Sequence, residues 1–405
     1  MEPKIRFKGF EGEWKTSTIG DFTTSFSGGT PTAGASEFYG GNIPFIRSGE
    51  IHESKTELFL TEAGLNNSSA KVVEKGTLLY ALYGATSGEV GISKIKGAIN
   101  QAILAIYPNK TVDKRFLANY LQSHKEKIVG ELLQGGQGNL SGALVKSISV
   151  TYPNNREQQT ISDYVDSLDS QISAATSRLA SLKQMKAASL QAMFPQEGET
   201  VPKIRFKGFE GEWKTCILSS IATMHARIGW QNLRKDEFLS SGAYYLITGT
   251  DFHDGKISFE TCHYIDKERY DQDKNIQLEI DSILITKDGT LGKVAFVDSL
   301  DKPATLNAGV FNVRTKDKEI YPKYLFQYLK APYLMDYVNK NATGGTIKHL
   351  NQNMLVNFPV QHPSYKEQVM IGDYLFNLDR QISLQSQRLE KLKQIKSACL
   401  DKMFV

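Results

Sequence analysis

Polar side chains on or beside glycine-bearing segments are the residues in this chain best suited to contact a ligand. They are Lys71, Tyr83, Thr86, Asn100, Gln101 and Gln137 in the first half, and Lys287, Thr290, Lys293, Asn307, Thr346 and Lys348 in the second. Amides, ammonium groups and hydroxyls of this kind can bond base edges and phosphate oxygens, and nearby glycines let the backbone come close. Each residue taken singly is better explained as a solvated turn.

Groups for covalent or metal chemistry do not assemble. Gly292-Lys293 is followed by Val294 and lacks the upstream glycine of a phosphate-cradling loop. His253, Cys262 and His263 have no fourth ligand at metal spacing. A DNA adenine methylase needs an Asn/Asp-Pro-Pro-aromatic loop, and the chain has no Pro-Pro dipeptide. The Glu-x-Lys tripeptides at Glu13, Glu53 and Glu212 have no Pro-Asp anywhere to complete a metal-dependent nuclease centre. Gly135-Gly136-Gln137-Gly138 and Gly344-Gly345-Thr346 read as loops. The expectation is a chain with no catalytic residue, no metal and no cofactor of its own.

The bulk properties agree with a binding role and bound it. The 405 residues carry 48 basic and 44 acidic side chains, a net charge of +4 that permits contact with a polyanion without demanding it. Three cysteines, Cys216, Cys262 and Cys399, form no Cys-x-x-Cys pair and leave an odd count, which fits a reducing cytoplasm. No signal peptide or membrane span is expected.

Duplication organises everything else. Pro3 to Thr16 recurs unchanged as Pro202 to Thr215, an offset of 199. The segment from Glu157, Glu-Gln-Gln-Thr-Ile-Ser-Asp-Tyr, returns in diverged form from Glu367, an offset of 210. Two copies are too few for a solenoid, so a pseudo-dimer with an approximate two-fold axis is the better plan. Apolar residues at Ile161, Val165, Leu168, Ile172, Ala175, Leu179 and Leu182 keep heptad spacing. The second copy repeats it at Ile371, Leu375, Leu378, Ile382, Leu389 and Leu392, with Gln385 interrupting. Each seam predicts a long helix, and the two should pair antiparallel as a coiled coil. Short β-branched runs at 43–47, 77–83 and 99–107, followed by a helix over 113–134, have counterparts at 282–286, 294–297, 305–313 and 321–339. The fold class is therefore α+β: two mixed α/β heads separated by two long antiparallel helices. The boundaries are 1–155 for the first head, 156–195 for the first helix, 196–364 for the second head and 365–405 for the second helix, with flank copies at 1–16 and 202–215.

In this order the motifs resemble the specificity (S) subunit of type I restriction-modification enzymes. Those motifs are Arg6 to Trp14 and Arg205 to Trp213, Gly29-Thr30-Pro31 with Ile43 to Ile51, Tyr83 to Thr86 leading to Val90-Gly91, Ile99 to Ala102, and helices opening at Glu157-Gln158 and Glu367-Gln368. The resemblance implies target recognition domains that each read one half of a split, asymmetric site in double-stranded DNA, with the helices as spacer. It also implies docking of two methylase (modification) subunits, with cleavage and translocation supplied by separate restriction subunits. S-adenosylmethionine, ATP and magnesium would then belong to those partners. The second head departs from the pattern: Asp288-Gly289-Thr290 stands for Gly84-Ala85-Thr86, and Thr305 to Ala308 for the Ile-Asn-Gln-Ala run. A pseudo-symmetric adaptor that binds only proteins explains the repeat and the seams equally well. It explains poorly why the frames match while the heads diverge.

Overall fold

The computed structural model describes residues 2–133, 139–228, 233–316, 319–341 and 350–405. The chain divides into two units, Met1–Thr176 with Gln387–Val405, and Ser177–Ser386.

In the first unit the strand Leu78–Ala81 is buried along its whole length, and its residues alternate between two cores. Leu78 and Tyr80 pack with Trp14, Leu104, Ile106, Phe116 and Leu117. Leu79 and Ala81 pack with Ile46, Val73, Ile99, Ile103 and Ala105. A strand covered on both faces reads as an unbroken apolar run, which is how it appears in the sequence. It lies inside an antiparallel sheet ordered Thr23–Ser27, Ile103–Pro108, Leu78–Ala81, Val90–Ile92. One face of that sheet carries the helices Lys114–Ser123 and Lys125–Leu132. The other meets a second sheet ordered Leu58–Leu60, Tyr39–Ile46, Gly97–Ile99, Lys71–Val73, in which Tyr39–Ile46 and Gly97–Ile99 run parallel.

The second unit repeats this plan. Its larger sheet is ordered Ala222–Ala226, Val310–Thr315, Ile283–Thr286, Val294–Phe296, and its smaller one His263–Ile265, Tyr244–Ile247, Ala304–Leu306, the last two parallel. Ile283 and Ile285 face the helix side, and Leu284 the small sheet.

The repeated flanks tie each head to the base of its long helix. Lys15–Thr18 pairs with Ser149–Tyr152, and Lys214–Ile217 with Pro359–His362. Arg6 grips Glu157 with two parallel bonds, Nε to Oε1 at 2.7 Å and Nη2 to Oε2 at 2.8 Å, and Arg205 grips Glu367 at the same distances. Both glutamates are fully buried, so each arginine neutralises a charge that would otherwise be stranded away from water. The next residue seals the joint. Gln158 accepts from Asp113 N at 2.7 Å and donates to the Thr111 and Pro153 carbonyls; Gln368 accepts from Tyr321 N at 2.8 Å and donates to those of Glu319 and Pro363.

The long helices, Asn155–Met193 and Tyr365–Met403, have 39 residues each, or about 58 Å at ~1.5 Å per residue. Each begins in one unit and ends in the other. Within the first unit Asp169 pairs with Lys396 at 2.5 Å and Tyr164 meets Cys399, so numbers rise on one helix as they fall on the other. Within the second unit Lys186 pairs with Asp379, and Ser189 Oγ lies 3.2 Å from Tyr374 Oη. The helices are antiparallel in both. Their seams serve two surfaces. Ile161 joins the first head's core, and Ile371, Leu375 and Leu378, with Leu182 and Ile382, that of the second. Leu168, Ile172, Ala175, Leu389 and Leu392 cluster between the helices. Val165 is fully buried and Leu179 half-buried.

Each helix also ends as a plug. Phe194 is fully buried against Trp213, Tyr324, Tyr328 and Tyr333, and Phe404 packs on Phe116 and Tyr120. Backbone bonds fix both ends, Ile204 N to Ala192 O and Ile5 N to Lys402 O, each 2.9 Å.

In the second unit one half-buried carboxylate serves two ammonium groups. Asp379 accepts from Lys186, from Lys330 Nζ at 3.2 Å and from Gln327 Nε2 at 2.8 Å, while Lys330 also reaches the Asp254 carbonyl. Burial and then repulsion from Lys330 outweigh Asp379 and push Lys186 down from 10.5 to about 8. For Asp379 the two lysines outweigh burial, and its carboxyl lies below the usual range. Because the unfolded chain holds the Lys186 proton up to the higher value, stability of this unit should rise with pH between about 8 and 10.5. The rise is at most about 3 kcal/mol. Lys186→Met is expected to flatten it, measured as urea midpoints across that window.

Two helices and two strands differ from the sequence expectation. The helix expected over 113–134 bends at His124 (φ −101°, ψ 8°), whose ring stacks on Tyr120 at 4.3 Å. The one expected over 321–339 stops at Ala331, which Pro332 forces into an extended conformation (φ −67°, ψ 165°). The runs at 99–107 and 305–313 each break in the middle, giving Gly97–Ile99 and Ile103–Pro108, then Ala304–Leu306 and Val310–Thr315. In both heads the chain crosses there from the small sheet to the large one. No helix among the described residues is long and apolar enough to cross a membrane.

Candidate nucleic-acid interface

Those two crossings place most of the polar residues singled out above. In the first head Asn100 N donates to Ile46 O at 3.3 Å, Leu82 N to Ala102 O at 2.8 Å, and Leu140 N to Leu82 O at 2.9 Å. The second head repeats the pattern: Asn307 N to Ile247 O, Lys287 N to Gly309 O and Leu350 N to Lys287 O, all 2.9 Å. Each crossing is thus laced to the hairpin loop beside it. Lys71, Tyr83, Thr86, Asn100 and Gln101 come together at one end of the first head's sheets, and Lys287, Thr290, Lys293 and Asn307 at the corresponding end of the second. Gln137, Thr346 and Lys348 lie outside the described residues.

The equivalent hydrogen bonds also correct the loop alignment. Ala81 and Thr286 hold the same hairpin position, as do Gly88 and Gly292, so the second loop is one residue shorter. Gly84 therefore corresponds to Gly289, both at φ +72°, and not to Asp288. The glycines at the far end of each loop are required. At Gly88 a Cβ would lie 2.5 Å from Val129, at Gly292 2.2 Å from Met335, and both have positive φ. Each loop is pressed against a helix of its own head, which fixes what it presents.

The side chains are used unequally. Asn100 spends its Oδ1 on Ala102 N at 3.2 Å, and Asn307 on Ala308 N at 2.8 Å, so both oxygens shape the turn. Thr86 Oγ1 donates to the Tyr83 carbonyl at 3.2 Å. Lys293 N donates to Thr286 Oγ1 at 2.9 Å, and the Thr286 hydroxyl donates to the Thr290 carbonyl. Gln101 accepts from Thr30 Oγ1 and is exposed. Lys71 and Lys287 lie over Phe26 and Phe311, 5.0 and 5.6 Å from the ring centroids, aromatic rests that leave the ammonium heads near the surface. Tyr83, Thr290 and Lys293 are exposed.

Arg47 escaped the selection from sequence, although it stands within Ile43 to Ile51. It follows the strand Tyr39–Ile46, beside Asn100, and its guanidinium is braced. Nε and Nη2 donate to Glu50 at 3.0 Å each, Nη2 reaches Glu57 at 2.6 Å, and Arg47 N donates to Glu50 at 3.1 Å. Burial opposes ionisation of Glu50, but the bonds from Arg47 and from Glu57 N hold its carboxyl below the usual range. The second head has the same turn with other contents: Thr248 N donates to Asp251 at 2.7 Å, and its hydroxyl at 2.9 Å. The signal in the sequence was an acidic residue four positions after the strand end in both copies, Glu50 after Ile46 and Asp251 after Ile247.

The arrangement has donors, acceptors and cations on two shaped loop clusters, and a buried frame behind each. It suits recognition of a polar, extended surface. Comparison with known proteins agrees. The chain matches the family described as type I restriction modification DNA specificity domain twice, over residues 11–184 and 210–394. The type I restriction enzyme MjaIX specificity subunit of Methanocaldococcus jannaschii is 31% identical over 170 residues, 38% of this chain and 38% of that protein. The EcoBI specificity subunit of Escherichia coli is 22% identical over 303 residues, 70% of this chain and 64% of that protein. These alignments span less than two thirds of either relative. The crystal structure of a type I restriction-modification system S subunit from M. genitalium shares the fold, with a TM-score of 0.67 at 17% identity over 100% of this chain and 99% of that one. With both of its heads and most of both long helices matched, the chain belongs to the type I restriction-modification DNA specificity family.

Proposed function

We propose that this chain is the DNA-recognition subunit of a type I restriction-modification complex. Each head reads one tract of a bipartite, asymmetric site in double-stranded DNA. The observation that carries this reading is two heads on one frame, laced by equivalent hydrogen bonds, with different side chains at equivalent positions: Glu89 against Lys293, Arg47 against Thr248. Equal frames hold the readers and unequal surfaces read different bases. The chain acts without catalysis of its own. The repeated flanks and long helices dock two methylase subunits, and restriction subunits join through the complex. S-adenosylmethionine, ATP and magnesium are used by those partners, in the cytoplasm.

Mapping methylated adenines in the genome of cells carrying this chain, and in cells from which it is deleted, tests the reading. One two-part motif should disappear on deletion; a methylation pattern unchanged by deletion would refute the role. The helix pair is proposed to set the unread gap. Removing one heptad from each helix, Ser173 to Leu179 and Ser383 to Leu389, removes about 10 Å at ~1.5 Å per residue. The gap should then shorten by roughly 3 base pairs at ~3.4 Å each, read from the same maps.

A further inference from the structure

Arg47 stands where a base reader would stand, and its surroundings separate base reading from phosphate binding. Building on the DNA-reading function proposed above, we infer that Arg47 reads a guanine in the tract recognised by the first head.

Position comes first. Ile46 and Ile99 are opposite one another on parallel strands, and Lys71 pairs with Ile99. Arg47, Asn100 and Lys71 therefore lie at the same sheet end, the one that carries the hairpin loop with Tyr83. Preorganisation comes second. The side chain of Glu50 is 13% exposed and holds one edge of the guanidinium, so the planar group is aimed before any ligand arrives. Nη1 has no partner among the described residues. The second acid, Glu57, is 80% exposed and can leave Nη2 as a ligand approaches.

Charge decides between the two kinds of contact. An arginine that clamps phosphate is best left uncompensated, whereas this one is flanked by two carboxylates. Those carboxylates repel a backbone phosphate, yet they do not oppose the neutral O6 and N7 acceptors of guanine, the usual partner of a planar guanidinium in the major groove. The second head supplies the comparison. The same short turn keeps its carboxylate, Asp251, and replaces the presented residue by Thr248. The brace is frame and the residue in front of it varies, as a specificity-determining position requires.

The experiment replaces the chain in its parent cells by Arg47→Ala or Arg47→Lys and maps methylated adenines genome-wide. Arg47→Ala should relax a single G·C position of one tract, discrimination there falling roughly 5- to 150-fold, with the other tract unchanged. Arg47→Lys, which keeps the charge without the planar fork, should retain a weaker guanine preference at that position. An unrelaxed motif in Arg47→Ala would overturn the inference while leaving the proposed function standing. So would loss of methylation at all sites in both variants with no position relaxed, since that marks a phosphate contact or a structural prop. If deleting the unsubstituted chain removes no two-part motif, the proposed function itself has failed.

Discussion

Arg6→Ala is expected to lower the stability of the first unit by about 3–5 kcal/mol. Glu157 has no exposed surface, and Arg6 supplies both of its charged bonds. Removing the arginine leaves a carboxylate in a place water does not reach. The same guanidinium also donates to Gly12 O at 2.8 Å, so the flank itself should loosen. Urea unfolding followed by amide exchange in Lys15–Thr18 and Ser149–Tyr152 would register both effects. The double substitution Arg6→Met with Glu157→Met should cost far less than the sum of the single changes, because it strands no charge. Arg205→Ala should do to the second unit what Arg6→Ala does to the first. A cost below about 1 kcal/mol, the range of an exposed pair, would show that water reaches Glu157.

The second large effect crosses the order of the sequence. Phe404→Ala should destabilise the first unit, and Phe194→Ala the second, by about 3–5 kcal/mol each. Phe404 fills the space beside Phe116, 5.2 Å away, and Phe194 the space beside Tyr324, 5.6 Å away. Amide exchange resolves the two results. Phe404→Ala should speed exchange in Leu78–Ala81 while Ile283–Thr286 stays protected, and Phe194→Ala should do the reverse. Loss of protection in the unit where each helix begins, and not where it ends, would contradict the placement of these plugs.

Much of this could be read from the residues. The two flank copies, the heptad seams and the β-branched runs announced two like heads and two antiparallel helices, because periodicity and identity survive without tertiary context. The crossings at Asn100–Ala102 and Asn307–Gly309 were not legible. A run that switches sheets stays apolar on both sides of the switch, so 99–107 looks like one strand. Nor did the seam spacing reveal that Ile161 and Ile371 turn toward head cores while Leu168 and Leu392 turn toward a helix. Heptad spacing marks a buried stripe and does not name what covers it. The polar cluster was partly legible, since Lys71, Asn100 and Lys287 were chosen for their type and neighbours. Arg47 was passed over because its brace is formed by Glu50 and Glu57, an arrangement visible only once the turn is folded.

The exchange of helix ends bears on how the chain is made. Residues 387–405 belong to the unit that begins at the amino terminus. During translation the ribosome therefore releases the first head's strands long before their last packing partners, Met403 and Phe404, have been polymerised. The second unit is contiguous in the nascent polypeptide and can close as soon as 386 emerges. Sequence separations of this size slow folding and leave apolar surface open meanwhile. The earlier-made head is thus the later to mature, and translation stalled after 386 has emerged should yield one finished unit and one waiting for residues 387–405.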